Sequence, residues 1–415
     1  MKQILILGAG AAGTMMAQHL ARAVDGRQWG ITVVDQHDSH YYQPGFLFIP
    51  FGALNEAQVR RPQAGLLPRG ARRVKGRVME IRPAAKQVEL ADGSVLPWDL
   101  LIIATGCRID PGEVEGLAGE GWGRDACDFY TLEGARALRQ RLAEFRGGRL
   151  VVHIAEMPIK CPVAPLEFAF LADDFLRRRG LRQATTIRYV TPLPGAFTKA
   201  NSSRVLGHLL SDKGIELATD FAVERVDPAA RRLHSYDGRA EDYDLLVTVP
   251  PNKGDEAIGR SGLGDELNFI PTDPHTLRAR AHPEIFVLGD ATDLPSSKAG
   301  SVAHFQAELL TENILRVIAG REPEPTFDGH ANCFIESGRG RAFLIDFNYE
   351  LEPVEGRFPL AGLGPFPLLR ESRLNHLGKL AFRWIYWNLL LKGRHIPLVP
   401  ARMSRAGKRL PSGAA

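Results

Sequence analysis

Six residues near the start of the chain form a glycine-rich turn that could hold a dinucleotide. They read Gly8-Ala9-Gly10-Ala11-Ala12-Gly13. The first glycine permits a tight bend, the second lets the backbone approach a pyrophosphate, and the third lets a helix pack closely on a strand. The following helix would present free N–H groups and partial positive charge to the phosphates. Asp35, about 20 residues beyond Gly13, would accept hydrogen bonds from both ribose hydroxyls, and Gln36 beside it is assigned to the same site.

Two segments farther along the chain distinguish FAD from a nicotinamide dinucleotide. Ala104-Thr105-Gly106 and Gly289-Asp290 each end an apolar run that is typical of a buried strand. They resemble the ATG and GD motifs of flavoproteins with two dinucleotide-binding domains, in which the aspartate binds the ribityl chain. The same resemblance places the backbone of Val78 beside the adenine. The sequence therefore predicts FAD as the cofactor.

Two further features concern how the flavin is held. Lys298 and Gly300 precede an apolar helix, whose N-terminus, together with the lysine, is expected to stabilise negative charge at the N1–O2 edge of the reduced flavin. The segment His40-Tyr41-Tyr42-Gln43-Pro44 lacks the cysteine that anchors the flavin covalently in flavocytochrome c sulfide dehydrogenases. Non-covalent binding is therefore expected.

Alternating strands and helices must position these residues. The apolar periodicity predicts strands at 3–8, 31–35, 100–104, 149–154, 186–190, 245–249 and 285–288. It predicts helices at 11–24, 166–180 and 301–319, and a hairpin at 71–98 with its turn at Asp92-Gly93. Short strands follow from residue 325, then a Pro/Gly-rich linker (358–367) and an amphipathic helix near 372–391.

This order of elements predicts an α/β fold with two Rossmann-like dinucleotide-binding domains and a C-terminal region ending in an amphipathic helix. Residues 1–110 and 251–324 would form a discontinuous FAD-binding domain. Residues 111–250 would form the second Rossmann-like domain, and 325–415 the C-terminal region.

The second Rossmann-like unit has no glycine fingerprint. Its turn spans residues 155–165 and reads AEMPIKCPVAP, with no glycine and three prolines. Each proline removes an N–H that could hold a phosphate, and Glu156 would repel one. A nicotinamide donor is therefore disfavoured, and electrons are expected to reach the flavin by another route.

The cysteines indicate that route. Lys160-Cys161-Pro162-Val163-Ala164-Pro165-Leu166-Glu167 resembles the KCxxAPxE-type segment of sulfide:quinone oxidoreductases, and Cys127 and Cys333 fit the three-cysteine layout of that family. Cys107 lies outside the pattern and is interpreted as a small buried residue. None of the four cysteines has CxxC spacing, which argues against a structural zinc site.

This resemblance covers essentially the whole chain and implies roles for the residues. Cys161 and Cys333 would form a pair over the flavin and carry bridging sulfur, Cys127 would assist sulfur handling, and Glu167 would act as a general base. Phe334, Lys379 and Phe382 would form the quinone site in the C-terminal region. Sulfide and a quinone are therefore the expected substrates.

Two alternatives stay open at this stage. A type II NADH:quinone oxidoreductase is the runner-up, and a flavin-containing redox sensor that switches through its cysteines is the third candidate. The segments Asp128-Phe129-Tyr130 and 192–197 lack the histidines that sulfide:quinone oxidoreductases commonly carry there. This departure puts the proton pathway in doubt and suggests a divergent subtype, in which polysulfide or a low-molecular-weight persulfide could replace sulfide.

Charge and hydropathy indicate the partners. The chain has 52 basic and 48 acidic residues, a balance too even to favour nucleic acid. No acidic residue follows Glu371, and aromatic, leucine and basic residues alternate in the segment 377–391. This composition favours a helix lying in the membrane surface. With no signal peptide at the start, we expect a peripheral protein on the cytoplasmic side, with homo-oligomers left open.

Overall fold

The computed structural model describes residues 1–360 and 362–410. Ala361, within the expected linker, and residues 411–415, at the end of the expected C-terminal region, lie outside the described residues. The described residues form eight α-helices: α1 (Ala11–Ala23), α2 (Glu56–Val59), α3 (Leu132–Glu144), α4 (Ala164–Arg178), α5 (Ala200–Asp212), α6 (Glu256–Arg260), α7 (Gly300–Ile318) and α8 (Arg373–Asn388).

The first sheet is parallel and brings together strands from distant parts of the chain. Its five strands stand in the spatial order Ile285–Val287, Leu100–Ile103, Lys2–Leu7, Trp29–Asp35 and Arg72–Lys75. All four residues of the strand Leu100–Ile103 are buried, as expected for a parallel sheet covered on both faces. The carboxyl ends of these strands therefore carry the two segments that follow them, at Thr105 and Asp290, to one edge.

The second sheet is also parallel and has five strands. They stand in the order Ala126–Cys127, Leu245–Val249, Gly148–Ile154, Thr185–Val190 and Glu216–Ala218. Helix α4 follows the strand Gly148–Ile154 after the turn at 155–163. Two parallel sheets of this kind are the architecture that the order of elements predicts.

Small antiparallel pairings surround the two sheets. Two three-stranded sheets consist of Val78–Arg82, Gln87–Leu90 and Val95–Pro97, and of Val223–Asp227, Arg232–Ser235 and Ala240–Asp242. Two strand pairs join Cys107–Ile109 with Asn252–Gly254, and Ser39–Tyr41 with Arg60–Pro62. The expected hairpin at 71–98 is wrong in part, because Arg72–Lys75 pairs in the parallel sheet and the antiparallel strands begin only at Val78.

The C-terminal region is an antiparallel pair of strands against which two helices pack. Ala331–Gly338 pairs with Arg341–Phe347, and α4 and α8 both pack on the first of these strands. At the two ends of the expected linker (358–367), Gly356–Phe358 pairs with Phe366–Leu368. The expected linker is therefore a loop closed by a short two-stranded sheet, which precedes α8.

Candidate functional site

One cavity of about 370 Å³ lies where the carboxyl ends of the first sheet meet α4 and α8. Its walls come from most of the regions that the sequence singles out. The predicted cofactor residues that line it are Gly8, Gly10, Ala11, Ala12, Asp35, Ala104, Thr105, Gly106, Gly289, Asp290, Lys298 and Gly300. The predicted catalytic and quinone residues that line it are Cys161, Glu167, Lys379 and Phe382.

The glycine turn has the close contacts that its sequence predicts. Gly8 has a φ of 95°, and a Cβ there would lie 2.4 Å from the carbonyl oxygen of Ala104. A Cβ on Gly13 would lie 1.9 Å from the carbonyl oxygen of Gly8, so Gly13 serves helix–strand packing and does not line the cavity. The Ala9 N–H donates to Asp35 Oδ2 at 2.7 Å, which ties the turn to the end of the neighbouring strand.

The cavity has the features that FAD requires. Cβ atoms on Gly10 and Gly300, at the starts of α1 and α7, would meet no atom within 4 Å, so both helix N-termini have open space for an anionic group. The Thr105 Oγ1 atom is buried without a hydrogen-bond partner, and such a group normally has one. These three features fit a dinucleotide whose phosphates and ring system bind between α1 and α7.

The open space at Gly10 provides a first prediction. In Gly10→Ala the new methyl group would occupy the space required by the pyrophosphate, so we expect the Kd for FAD to rise at least about tenfold. The fold should survive because φ at Gly10 is −68°. The measurement is the flavin-to-protein absorbance ratio after dialysis, with far-UV circular dichroism as the check on folding.

Gly26→Ala is the matched control, because a Cβ at Gly26 also meets no atom within 4 Å but the residue lies outside the cavity lining. Equal flavin retention in the two variants would contradict the proposed position of the pyrophosphate.

Three predicted cofactor residues do not line the cavity. Gly13 has the packing role described above, Gln36 is exposed, and Val78 is half-buried, with its carbonyl oxygen 3.4 Å from the Arg260 guanidinium. Their contact with the cofactor stays a prediction.

Lys298 lines the cavity but uses its ammonium group locally. The Nζ atom donates to the carbonyl oxygens of Asp290 and Thr292, and it lies 3.8 Å from the centroid of the Phe269 ring. A role for Lys298 at the flavin edge stays a prediction.

The turn before α4 is closed by contacts with other parts of the chain. The Lys160 N–H donates to Asn252 Oδ1 at 3.1 Å, and the Cys161 N–H donates to the Lys298 carbonyl oxygen at 2.6 Å. Two N–H groups that could hold a phosphate are therefore already used. The backbone of Lys298 lies against the turn before α4. The turn that lacks glycine in the sequence is therefore also closed by protein contacts in the structure.

Cys161 lies in this turn with a backbone conformation that non-glycine residues rarely adopt. Its φ is 49°, and its carbonyl oxygen accepts hydrogen bonds from the Tyr130 hydroxyl at 3.2 Å and the Ala164 N–H at 2.9 Å. Burial, with Glu167 second, raises the pKa of the Cys161 thiol to about 12. A strained conformation held by several contacts is a common feature of functional positions.

Cys333 couples electrostatically to Cys161. It lies on the strand Ala331–Gly338, and burial, followed by the charge on Cys161, raises its pKa. Both are free thiols. The structure therefore brings two cysteines that are far apart in the sequence into one electrostatic environment, although Cys333 does not itself line the cavity.

Glu167 and Lys379 form a buried ion pair on the cavity wall. Lys379 Nζ lies 2.7 Å from Glu167 Oε1, and the side chains are 12% and 1% exposed. Glu167 Oε1 also accepts the Glu336 N–H, while Lys379 donates to the Phe334 carbonyl oxygen. Burial raises the pKa of Glu167 and Lys379 acts against that rise. Glu167 Oε2 has no partner and is free to accept a proton.

Two predicted site residues lie elsewhere. Cys127 is fully buried at the edge of the second sheet, with its thiol 3.6 Å from the Arg124 carbonyl oxygen. The Phe334 ring packs edge-on against Phe366, and it would obstruct a Cβ on Gly378. Neither side chain lines the cavity, so their roles stay predictions that the geometry does not support directly.

Several lining residues were not identified from the sequence. They are Ala9, His37, Ser39, His40, Tyr41, Gln43, Pro44, Leu47, Gln63, Cys107, Phe129, Tyr130, Lys160, Ala164, Ala299, Ala303 and Tyr386. His40 shows why the sequence does not identify them. Its Nε2 contacts the Tyr386 hydroxyl at 2.6 Å, although the two residues lie 346 positions apart in the sequence. Four of them had a signal in the sequence, because Ala9, Lys160 and Ala164 belong to the quoted motifs and Cys107 directly follows the segment at Thr105.

Comparison with known proteins adds independent information. A profile of the pyridine nucleotide-disulphide oxidoreductase family matches residues 2–307. The mitochondrial sulfide:quinone oxidoreductase of Mus musculus is 25% identical over 399 residues, spanning 94% of this chain and 86% of that protein. The type II NADH:quinone oxidoreductase of Staphylococcus aureus (strain MSSA476) is 29% identical over 389 residues, spanning 86% of this chain and 92% of that protein.

A solved structure confirms the predicted fold class. The X-ray structure of the sulfide:quinone oxidoreductase from Aquifex aeolicus has a TM-score of 0.79 to this chain, covering 95% of this chain and 92% of that one at 19% identity.

Proposed function

The chain belongs to the pyridine nucleotide-disulphide oxidoreductase family, and from this premise we propose that it oxidises sulfide and transfers the electrons to a quinone. It is an FAD-dependent oxidoreductase, and its similarity to sulfide:quinone oxidoreductases extends over 94% of the chain. The names of these relatives support sulfide and a quinone as the two substrates. The roles of individual residues are our own inference.

The observation that carries the proposal is the closed turn before α4. In this turn the N–H groups of Lys160 and Cys161 are bonded within the protein, and a thiol takes the place of a phosphate site on the cavity wall. Burial raises the pKa of that thiol, and Glu167, one helical turn or so farther on, adds to the rise. The combination suits sulfur chemistry better than nicotinamide binding.

The proposed reaction converts H₂S and a quinone into zero-valent sulfur and a quinol. The two thiols of Cys161 and Cys333 first lose two electrons and two protons and form a disulfide. HS⁻ then attacks this disulfide, which forms a persulfide on one cysteine and releases the other as a thiolate. Joining the thiolate to the outer sulfur of the persulfide releases one proton and two electrons and closes a bridge that is longer by one sulfur. Further turnovers extend this polysulfide chain, or zero-valent sulfur leaves as the bridge returns to a disulfide. When bound, FAD supplies the acceptor for this electron pair and its route to the quinone. The quinone takes up two protons and becomes a quinol, so that H₂S and quinone give sulfur and quinol.

Side chains on the cavity wall accept and position the proton that H₂S releases. Glu167 Oε2 is the unpartnered base that receives a proton from incoming H₂S, and Lys379 holds the carboxylate in place through Oε1. Lys379 and Phe382 on α8 line the same cavity and are the quinone-site residues that its geometry supports. Phe334 contributes through its carbonyl oxygen, which accepts from Lys379.

An anaerobic flavin titration tests the proposal. We expect sodium sulfide to bleach the flavin absorbance at stoichiometric amounts, and decylubiquinone to restore it. NADH at the same concentration should leave the absorbance unchanged over the same period. Rapid bleaching by NADH with none by sulfide would overturn the proposal.

That opposite result would favour the second candidate, a type II NADH:quinone oxidoreductase. The Staphylococcus aureus relative, at 29% identity, is the specific observation in its favour. The absence of turnover with every donor and quinone, together with a partner bound in one redox state only, would instead indicate a redox sensor.

Helix α8 is the proposed contact with the membrane. Leu374, Leu377, Leu380 and Trp384 lie on one face at helical spacing and are 48–61% exposed. Gly378 and Tyr386 on the other side are buried. Among the described residues, no helix is long and apolar enough to cross a membrane. An exposed apolar face with basic residues after it suits an interfacial position, and the cytoplasmic side stays a prediction.

Trp384→Glu tests this position. Burying a large side chain in the interface contributes roughly 1.5–3 kcal/mol, so we expect the vesicle partition coefficient to fall at least about tenfold. The measurement is co-sedimentation with phosphatidylglycerol/phosphatidylcholine vesicles. Tyr236→Glu is the matched control, because Tyr236 is 75% exposed but lies in the turn between the strands Arg232–Ser235 and Ala240–Asp242 and not on α8. Equal partitioning of both variants would contradict the assignment.

A further inference from the structure

Outside the flavin cavity, three elements bring together a cluster of metal-ligating side chains. His19 lies on α1, and His304 and Glu308 lie one turn apart on α7. His395 lies in the segment after α8. None of the four lines the flavin cavity.

The ligand atoms of the cluster converge. One donor atom each from His19, His304 and Glu308 lie within 4.8 Å of one another. His304 Nε2 is 3.1 Å and His395 Nδ1 is 2.7 Å from Glu308 Oε1. Ligand atoms of a tetrahedral zinc ion are about 3.3 Å apart when the bonds are about 2.0 Å long. The widest pair among His19, His304 and Glu308 would therefore have to close by roughly 1.5 Å. His395 is outside this group of three, and its imidazole would have to turn from Glu308 toward the other ligand atoms.

These polar atoms have no hydrogen bonds to account for their burial. His19 is 8% and His304 is 1% exposed. His19 Nε2, both ring nitrogens of His304, and Glu308 Oε1 are all buried without a hydrogen-bond partner. Buried polar atoms without partners are rare, and one donor atom each from His19, His304 and Glu308 converges on one place, which indicates a missing common ligand.

We propose that His19, His304, Glu308 and His395 bind a divalent first-row transition-metal ion of the zinc class. Three imidazoles and one carboxylate form a donor set that suits Zn²⁺. The Arg22 guanidinium, which donates to the carbonyl oxygens of Lys392 and Gly393, is a positive charge close to His19 that works against the cation. The carboxylate of Glu308 offsets part of this repulsion.

The ion would connect the flavin-binding helices to the segment that follows α8. His19 and His304 belong to α1 and α7, whose N-termini face the flavin cavity, while His395 follows the helix proposed for the membrane. Without the ion, the described contacts that hold residues 392–395 to α1 and α7 include Arg22 and the pair of His395 with Glu308. The proposed site is thus structural and independent of the sulfide reaction.

Zinc titration of the FAD-loaded protein tests the site. After dialysis against a chelator, we expect one Zn²⁺ per chain in competition with a chromophoric chelator. His395→Ala and Glu308→Gln should each raise the Kd at least about tenfold. His395 has a side chain 74% exposed, so its loss should not impair folding. His208→Ala, at an exposed histidine on α5, is the matched control and should bind zinc as the parent does.

X-ray absorption at the zinc edge identifies the ligands. Nitrogen and oxygen scatterers at about 2.0 Å with imidazole outer shells would support the site. Sulfur scatterers at about 2.3 Å would place the ion on the cysteines and overturn the proposal. An unchanged Kd in both His395→Ala and Glu308→Gln would overturn it as well, whatever the outcome of the sulfide titration.

Discussion

Replacing Cys161 with serine is expected to slow sulfide-driven reduction of the flavin by about 10³-fold or more, because loss of a nucleophile has effects of this size. A serine hydroxyl cannot form a persulfide or exchange with a disulfide. The flavin should remain bound, since Cys161 contributes its backbone N–H to the closed turn and serine keeps that N–H. The measurement is anaerobic stopped-flow absorbance at the flavin maximum with sulfide in excess.

Cys107→Ser is the matched control, because Cys107 lines the same cavity and its pKa is likewise raised to about 12 by burial. Its thiol contacts Asn252 Oδ1 at 3.7 Å, a structural contact that a hydroxyl can replace. We expect near-parent rates in this variant. Comparable loss in both variants, or near-normal turnover in Cys161→Ser, would eliminate the proposed role of Cys161.

Cys333→Ser and Cys127→Ser then separate the remaining thiols. If Cys333 is the partner of Cys161, Cys333→Ser should slow sulfide-driven flavin reduction nearly as much as Cys161→Ser does, because the two cysteines act as one unit. Cys127 lies away from the cavity with its thiol against a backbone carbonyl, so its loss should be milder.

The sequence predicted the fold and the flavin turn because both depend on local patterns. Buried parallel strands have continuous apolar runs, as in Leu100–Ile103, and each glycine of the turn has a steric reason that applies within a few residues. Gly8 and Gly13 show this directly, since a Cβ on either would collide with a backbone oxygen. The absence of glycine at residues 155–165 could also be seen in the sequence. The structure shows that Asn252 and Lys298 accept the N–H groups of that turn.

Contacts between distant segments could not be derived in this way. Glu167 was proposed as a base from its position near Cys161, but the sequence did not pair it with Lys379, which lies on α8. Phe334 was assigned by its neighbour Cys333, yet strand alternation and packing against Phe366 direct its ring elsewhere. The cluster at His19 and His304 was also not recognised, because only His304 and Glu308 share a local i,i+4 spacing, while His19 and His395 come from two other parts of the chain.

The ion pair between Glu167 and Lys379 leads to the prediction with the largest expected effect on stability. In Lys379→Met the carboxylate of Glu167 keeps the Glu336 N–H but loses its cation. Removing one partner of a buried ion pair typically costs about 3–5 kcal/mol. We therefore expect a loss of this order in the free energy of unfolding at pH 8, measured by urea denaturation of the FAD-loaded protein. Lys75→Met, which breaks an exposed pair with Asp38, is the matched control and should change little.

The pH dependence distinguishes an unpaired charge from lost packing. Burial already raises the pKa of Glu167 and Lys379 works against that rise, so its removal should raise the pKa further. A carboxyl whose pKa is higher in the folded than in the unfolded chain is protonated at low pH and costs no stability there. As the pH rises from the unfolded pKa through the folded pKa, the buried group has to ionise in the folded chain, and stability is lost. The deficit of Lys379→Met should therefore grow from pH 5 to pH 8.

In Glu167→Gln/Lys379→Met, the neutral amide can still accept the Glu336 N–H, so this double variant should recover much of the loss and show no such pH dependence. A deficit that is constant with pH, or a double variant no more stable than Lys379→Met, would show that Lys379 acts through packing and not as the counter-ion of Glu167.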